Sequence, residues 1–393
     1  MTFCGIKSRP ILSRRAVAED AFSADYVIAR RRFRDLSQRA CADCHVLPIS
    51  ASGPNGAELS IDIAVLGSRT PRRVVLYSSG LHGVEGFVGS ALQLQLLGSP
   101  PALDDDTTLV LVHALNPYGM AWLRRVNESN VDLNRNFLRA GEACIGEPWQ
   151  GADATYAKLN DLLNPASPPG YDAFYLRAAL AVMRFGFATL QQAVAGGQYE
   201  FAQGLFFGGR AQEQGPRMYE QWLSKNFPEV EKLVAIDVHS GLGPWATGSN
   251  LVQLKNGALS NAFYSNATTG LSQSKMRLKT QSKMQLKTHN KPMYQVRGGQ
   301  GDMLTALYPD RSLDVIVQEF GTYGAFRVLH ALREENRLHH FADASDIQHP
   351  ARRRLREMFC PHSRRWRQSV IQQGITLLNA VVLDLQINPP THN

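Results

Sequence analysis

Cysteine is scarce in this chain of 393 residues: Cys4, Cys41, Cys44, Cys144 and Cys360 are the whole set. An odd, scattered set excludes a disulfide framework as the organiser of the fold. Uninterrupted apolar runs are short, and none approaches the about eighteen residues of a membrane span, so no membrane partner is expected. The first twenty residues, MTFCGIKSRPILSRRAVAED, lack an apolar core followed by a small-residue cleavage site, which leads to the expectation of a cytoplasmic location. The glycine-rich run GLFFGGRAQEQGP at 204–216 lacks a closing Gly-Lys-Ser/Thr and reads as a loop, not a phosphate cradle. No linker-like composition divides the chain, so one catalytic domain over 20–386 is expected. It would lie between an extension at 1–19 and a tail at 387–393, with insertions at about 138–230 and 255–295.

The composition, 44% hydrophobic and 19% charged, is that of a globular enzyme. The net charge of +8 is concentrated in ARRRFR (29–34) and ARRRLREMFCPHSRRWRQ (351–368). Apolar residues at helical spacing interrupt both, so they read as solvated helix faces, and no nucleic-acid partner is expected. CADCH at 41–45 has the Cys-x-x-Cys-His spacing of haem attachment. That chemistry requires export, and the residues that follow read as a strand. No second Cys/His pair at finger spacing follows to make a zinc finger.

Periodicity gives an amphipathic helix over 20–40 and a strand pair at 45–49 and 59–67. Strands at 73–79 and 108–117 flank a helix over 87–97 in a βαβ arrangement. Further strands fall at 232–241 and 313–322, one helix over 174–195, and a helical region over 350–386 interrupted at Pro361. SKMRLKTQ (274–281) is followed at once by SKMQLKTH. A tandem copy this short reads as a surface insertion, not a solenoid.

Polar clusters recur at the carboxyl ends of these strands: His82 and Glu85 after 73–79, Asn116 to Asn136 after 108–115, His239 ending 232–239, and Glu319 ending 313–320. Ligands of open α/β sheets bind at such ends. Zinc takes imidazole nitrogen and carboxylate oxygen, and its catalytic sites use three protein ligands. His82, Glu85 and His239 form such a set, a close pair and a distant third. Asp237, two residues before His239, is placed to orient it. Glu319 remains as a candidate general base. Zinc, one per chain, suits the ligand types, although cobalt or manganese can occupy the same set.

The stretch NPYGMAWLRRVNESNVDLNRNF (116–137), with the His-x-x-Glu pair before it and His239 and Glu319 after it, resembles the zinc carboxypeptidase superfamily, whose motifs occur in this order. SSGLHGVEGFVGSALQLQLL, the same central stretch and VIVQEFGTYG are similar to a bacterial carboxypeptidase-like family catalogued as a domain of unknown function, from about 20 to 385. The resemblance implies a central mixed α/β sheet flanked by helices on both faces. It also implies zinc on His82, Glu85 and His239, with Glu319 as catalytic glutamate. An arginine of the pair Arg124–Arg125 would polarise the carbonyl, Arg125 being favoured and Arg124 open. Asn134 and Arg135 would hold a terminal carboxylate. For the family's tyrosine, Tyr294 and Tyr308 are candidates, neither in a matching phrase. The implied activity is zinc-dependent hydrolysis of an amide bond next to a free carboxylate. The substrate is a peptide losing its C-terminal residue or an N-acyl amino acid, and a non-catalytic binding protein on the same fold is the rival class.

Overall fold

The computed structural model describes residues 21–137, 152–255, 258–260, 263, 285–287 and 297–387. The extension at 1–19, Tyr294 and all of the tandem repeat except 285–287 lie outside those residues. Eight strands occur among those described: β1 (Asp43–Ser52), β2 (Glu58–Gly67), β3 (Arg73–Ser79), β4 (Thr107–His113), β5 (Lys232–Gly241), β6 (Gly248–Lys255), β7 (Gln285–Lys287) and β8 (Ser312–Gly321). They form one sheet in the order β1-β2-β4-β3-β5-β8-β6-β7. Its centre, β4-β3-β5-β8, is parallel; β1 with β2, β2 with β4 and β6 with β8 pair antiparallel, and β7 joins β6 in parallel. The sheet is therefore mixed, as expected.

The pattern of each strand matches its place. β3 and β4, read from near-continuous β-branched runs, are buried along their whole length, as parallel strands covered on both faces must be. β1 carries Pro48 and lies at the edge, where a missing ladder donor is tolerated.

The helices are α1 (Tyr26–Arg39), α2 (Gly86–Gly98), α3 (Pro117–Trp122), α4 (Ala152–Leu163), α5 (Phe174–Phe185), α6 (Phe187–Ala195), α7 (Gln214–Asn226), α8 (Gln300–Leu307), α9 (Ala325–Phe341), α10 (Pro350–Phe359) and α11 (Arg364–Ile387). Adjacent side chains of β3 show that both faces are covered. Ser79 Oγ lies 3.1 Å from Gln93 Oε1 of α2, and Ser78 Oγ lies 3.3 Å from Gln300 Oε1 of α8. On the α2 side, α11 approaches so closely that a Cβ at Gly374 would stand 2.4 Å from a Leu92 methyl.

Three expectations need correction. The helix over 174–195 is two helices, bent by 110° at Gly186, whose φ of 79 is open to glycine at little cost. The strand at 108–117 stops at His113, because Asn116 caps α3 by accepting from Gly119 N at 2.8 Å. The basic segments are not merely solvated faces. Arg34 binds Asp62 at 2.8 Å, Arg352 is buried over the Trp122 ring, and the Arg356 guanidinium lies 4.1 Å from the Phe87 ring centroid. Long basic side chains pack their stems and flat heads against apolar surface. By length and apolarity alone α11 is long enough to cross a membrane; its Trp366, Val370, Leu377, Leu378 and Val381 are buried in the core.

His113 is fully buried, stacked on Phe33 and 3.0 Å from Ser90 Oγ. Burial depresses its pKa to about 4. The unfolded chain takes up this proton near pH 6.5 and the folded chain only near 4. Stability is thus present above about 6.5 and is lost as pH falls towards 4, by about 3 kcal/mol. Urea unfolding at pH 7.5 and 4.5 is expected to show this increment in the wild type and its absence in His113→Asn. Equal acid losses in the two proteins would refute it.

Candidate metal centre

The chain enters β3, passes to β4 on one side, and later returns to β5 on the other. The carboxyl ends of β3 and β5 therefore flank a topological switch point, where side chains from distant segments meet above the sheet. His82 and Glu85 follow β3, His239 lies near the end of β5, and Glu319 stands opposite His239 in the β5–β8 register. All four expected positions converge.

His82 precedes a single 3-10 turn at Gly83–Glu85, which brings its side chain over Glu85. Gly80 supplies the left-handed residue of this connection (φ 69), while Gly83 and Gly86 have ordinary negative φ. Their role is close approach rather than tight turning. A Cβ on Gly83 would lie 2.1 Å from the Gly119 carbonyl carbon, and one on Gly86 would lie 2.9 Å from Met120 Sδ. Gly83 N and Val84 N donate to the carbonyls of Arg125 and Arg124 at 3.0 and 2.8 Å.

His82 Nδ1 lies 3.0 Å from Glu85 Oε1, His239 Nδ1 lies 3.2 Å from Glu85 Oε2, and the two Nδ1 atoms are 3.2 Å apart. All three residues are buried. Tetrahedral zinc, with bonds of about 2.0–2.1 Å, holds its ligand atoms on the order of 3.3 Å apart, so this triangle fits a metal ion. Each outer nitrogen has a carboxylate beside it. His239 Nε2 is 2.6 Å from Asp237 Oδ2, and His82 Nε2 is 3.1 Å from Asp132 Oδ1. A proton on His239 Nε2, held by Asp237, leaves its Nδ1 lone pair on the triangle side, the tautomer that a neighbouring carboxylate imposes on a ligating histidine; His82 Nε2 lies between the Asp132 carboxylate and the Arg125 guanidinium, which only donates.

Burial and neighbouring charge oppose each other at most groups of the centre. Burial raises the Glu85 carboxyl, but His82 and His239 outweigh it and hold the group well below the ordinary carboxylate range. Burial likewise opposes ionisation of Asp132, and Arg125 and His82 reverse the balance. Burial would keep His239 neutral, but Asp237 and Glu85 raise its pKa well above the usual value. Glu319 differs: burial, with the nearby charge of Glu85, pushes it up to about 7, although Leu242 N donates to its Oε1 at 2.8 Å.

The arginine pair is divided. Arg125 reaches the centre, with Nη1 3.2 Å from Glu85 Oε1, Nε 3.1 Å from Asp132 Oδ2 and Nη2 2.8 Å from His82 Nε2. Arg124 is fully buried and turned away, donating to Glu335 on α9 at 2.8 Å and to Asn130 at 2.9 Å; the backbone reverses at Leu123 (φ 56). Arg124 is thus not brought to the centre. Asn134 and Arg135 line the same cavity as the triangle. The Arg135 guanidinium donates to the carbonyls of Asn134 and Ala195. Each terminal nitrogen carries a second N–H beyond that bond. Tyr308 is packed away from the centre, its hydroxyl 3.4 Å from Leu223 O.

Three participants went unassigned in the sequence. Asp132 stood inside the quoted motif without a role. Arg297 lines the cavity with no motif around it. Phe206, in the glycine-rich run, lies under Arg125 at 5.3 Å with a left-handed φ of 59, an unusual conformation for a bulky residue.

These features define a class: a mixed α/β protein with a buried two-histidine, one-carboxylate cluster at its switch point. The chain belongs to the family described as protein of unknown function, DUF2817, whose model matches residues 22–373. No curated protein matches it in sequence. Among solved structures, it is similar to thrombin activatable fibrinolysis inhibitor at 10% identity and a TM-score of 0.48, over 96% of this chain and 78% of the other. It is similar to carboxypeptidase A from Helicoverpa armigera at 13% and 0.38, over 81% and 70%. It is also similar to murein-tripeptide amidase MpaA from Escherichia coli O157 at 16% and 0.35, over 75% and 91%.

Gly83→Ala is expected to destabilise the protein by about 1–3 kcal/mol, because backbone, not a movable side chain, meets the new methyl. Gly98→Ala, with nothing within 4 Å of the added Cβ, serves as the control. Urea midpoints compare the two, and similar small effects would refute the close-approach role.

Proposed function

We propose that the protein is a zinc-dependent hydrolase that cleaves an amide bond next to a free carboxylate, with carboxypeptidase-like cleavage of peptides as the leading form and N-acyl amino acids as the competing substrate class. The observation that carries this reading is the triangle of His82, Glu85 and His239 with Glu319 and Arg125 beside it. A zinc ion held by those three ligands would polarise the substrate carbonyl and favour ionisation of water at neutral pH.

The protein's own groups have distinct tasks. Glu319 takes the proton of the attacking water and passes it to the leaving amine. Its burial disfavours the charged form, which makes it a better proton carrier than a solvated carboxylate. Arg125, held by Asp132 and Glu85, presents charge to the oxygen that becomes negative as the carbonyl is attacked. Asn134 and Arg135 hold the substrate carboxylate, a task suited to a forked guanidinium. Asp237 and Asp132 fix the ring orientation of His239 and His82. The inward-turned Arg34, Arg352 and Arg356 support reading the basic segments as structural, with no nucleic acid as partner.

Metal analysis after purification is expected to give near-stoichiometric zinc, and His239→Ala to lose it. Glu319→Gln should retain the metal and lose about 100-fold or more in kcat against short peptides or N-acyl amino acids. Full hydrolysis by Glu319→Gln, or metal-free wild type, would overturn the assignment.

A further inference from the structure

The cavity that contains the triangle extends well beyond its polar groups. It measures about 930 Å³, near the upper end of the roughly 300–1,000 Å³ usual for small-molecule sites. Its charged lining comes from the sheet ends, from Arg125 and from segments 134–135 and 297–302. Beyond them one wall is built by α4, α5, α6 and α9, through residues such as Leu159, Leu163, Ala181, Leu190, Val328 and Leu332, and β6 and β8 add Leu251, Val252, Val315 and Val317. Among the described residues, Gln191 is the one polar side chain that these four helices contribute. The apolar part adjoins the reacting centre: Val84, between His82 and Glu85, belongs to one hydrophobic cluster with Leu159, Leu163 and Phe206. At the other extreme, Phe187 and Phe326 line the cavity yet are 53% and 37% exposed, with ring centroids 6.4 Å apart. They form an apolar rim.

Such a chamber discriminates between occupants. Each peptide unit inserted there would bury an N–H and a C=O, and each buried polar group without a partner costs free energy. Helix backbones satisfy their own groups, and one glutamine cannot serve a peptide of several residues. A methylene chain needs no partners. We infer that the substrate is an N-acyl amino acid whose acyl group is a long hydrocarbon chain, with the chain among α4, α5, α6 and α9 and the carboxylate at the Asn134–Arg135 end. This rests on the amide-hydrolysis reading of the polar end and, on the evidence of the apolar wall, takes the N-acyl branch of that reading over the peptide branch. Water adds to the acyl carbonyl, a C–O bond forms, and the C–N bond breaks with the proton delivered to nitrogen. The products are a fatty carboxylate and a free amino acid.

The test compares N-acetyl-, N-hexanoyl- and N-dodecanoyl-leucine, with trileucine as the peptide. Hydrolysis is measured with the zinc-loaded wild type, and equilibrium binding with Glu319→Gln. Burial of each methylene contributes about four-fold, so kcat/KM and affinity are expected to rise roughly 100-fold or more from acetyl to dodecanoyl. Ala181→Trp, which fills the chamber, should flatten that dependence. Phe187→Glu should weaken it at the rim and, because Phe187 is exposed, keeps the question open if the Ala181→Trp chain does not fold. Chain-length independence in the wild type would overturn the inference, as would a higher kcat/KM for trileucine than for N-dodecanoyl-leucine. Length-dependent binding without hydrolysis of any compound would uphold the chamber and remove the amide-hydrolysis reading instead.

Discussion

The approach of Gly83 to Gly119 is the contact on which the centre depends. With no side chain on either residue, the ligand turn after β3 and the helix-capped turn after β4 lie backbone against backbone. That proximity allows the amides of Gly83 and Val84 to reach the carbonyls of Arg125 and Arg124. Two segments distant in sequence are therefore tied backbone to backbone. The same ties set Arg125 against Glu85 and His82, and preorganisation of this kind is what makes charge placement effective in a reacting site.

The sheet adds the remaining groups by register. Parallel pairing sets His239 beside Glu319, and the two-residue repeat of a strand puts Asp237 on the same face as His239. The two glutamates of the centre then diverge by environment. Glu85 lies between two imidazoles and a guanidinium and accepts from Ser240 N at 2.9 Å, so its charge is compensated. Glu319 has one backbone donor and a like charge nearby, so its proton is held more tightly. Neighbouring carboxyls with separated affinities for a proton are the arrangement that lets one serve as fixed ligand and the other as a proton carrier.

Much of this was legible in the sequence because it depends on local pattern. Continuous β-branched runs announced β3, β4, β5 and β8, and polar residues at their ends announced the centre. The parts that were not legible depend on backbone direction or on distant partners. Nothing in the pair Arg124–Arg125 tells which side chain faces the centre; the left-handed Leu123 and the carboxylate of Glu335 decide it. Asp132 acquires its role only when His82 and Arg125 arrive beside it. The apolar spacing over 174–195 continues through Gly186, so periodicity alone gave one helix where there are two. The basic runs concealed arginines packed on aromatic rings, since charge counting carries no information about stacking.

The division of the arginine pair also ties the cavity wall to the centre. α9 contributes Val328, Leu329 and Leu332 to the cavity and, one turn further on, Glu335 to Arg124. Arg124 and Arg125 share a peptide unit, so the helix that bounds the apolar space is anchored to the segment that carries charge into the reacting space. Arg124 is fully buried, and a buried ion pair is costly to separate because either partner alone is left uncompensated. A shift of α9 is thereby resisted at the point where it would disturb Arg125. Contacts made far along the cavity can in this way bear on the position of Arg125, the group that the proposed reaction sets against the developing oxyanion, the structural condition for remote binding to act on a chemical step.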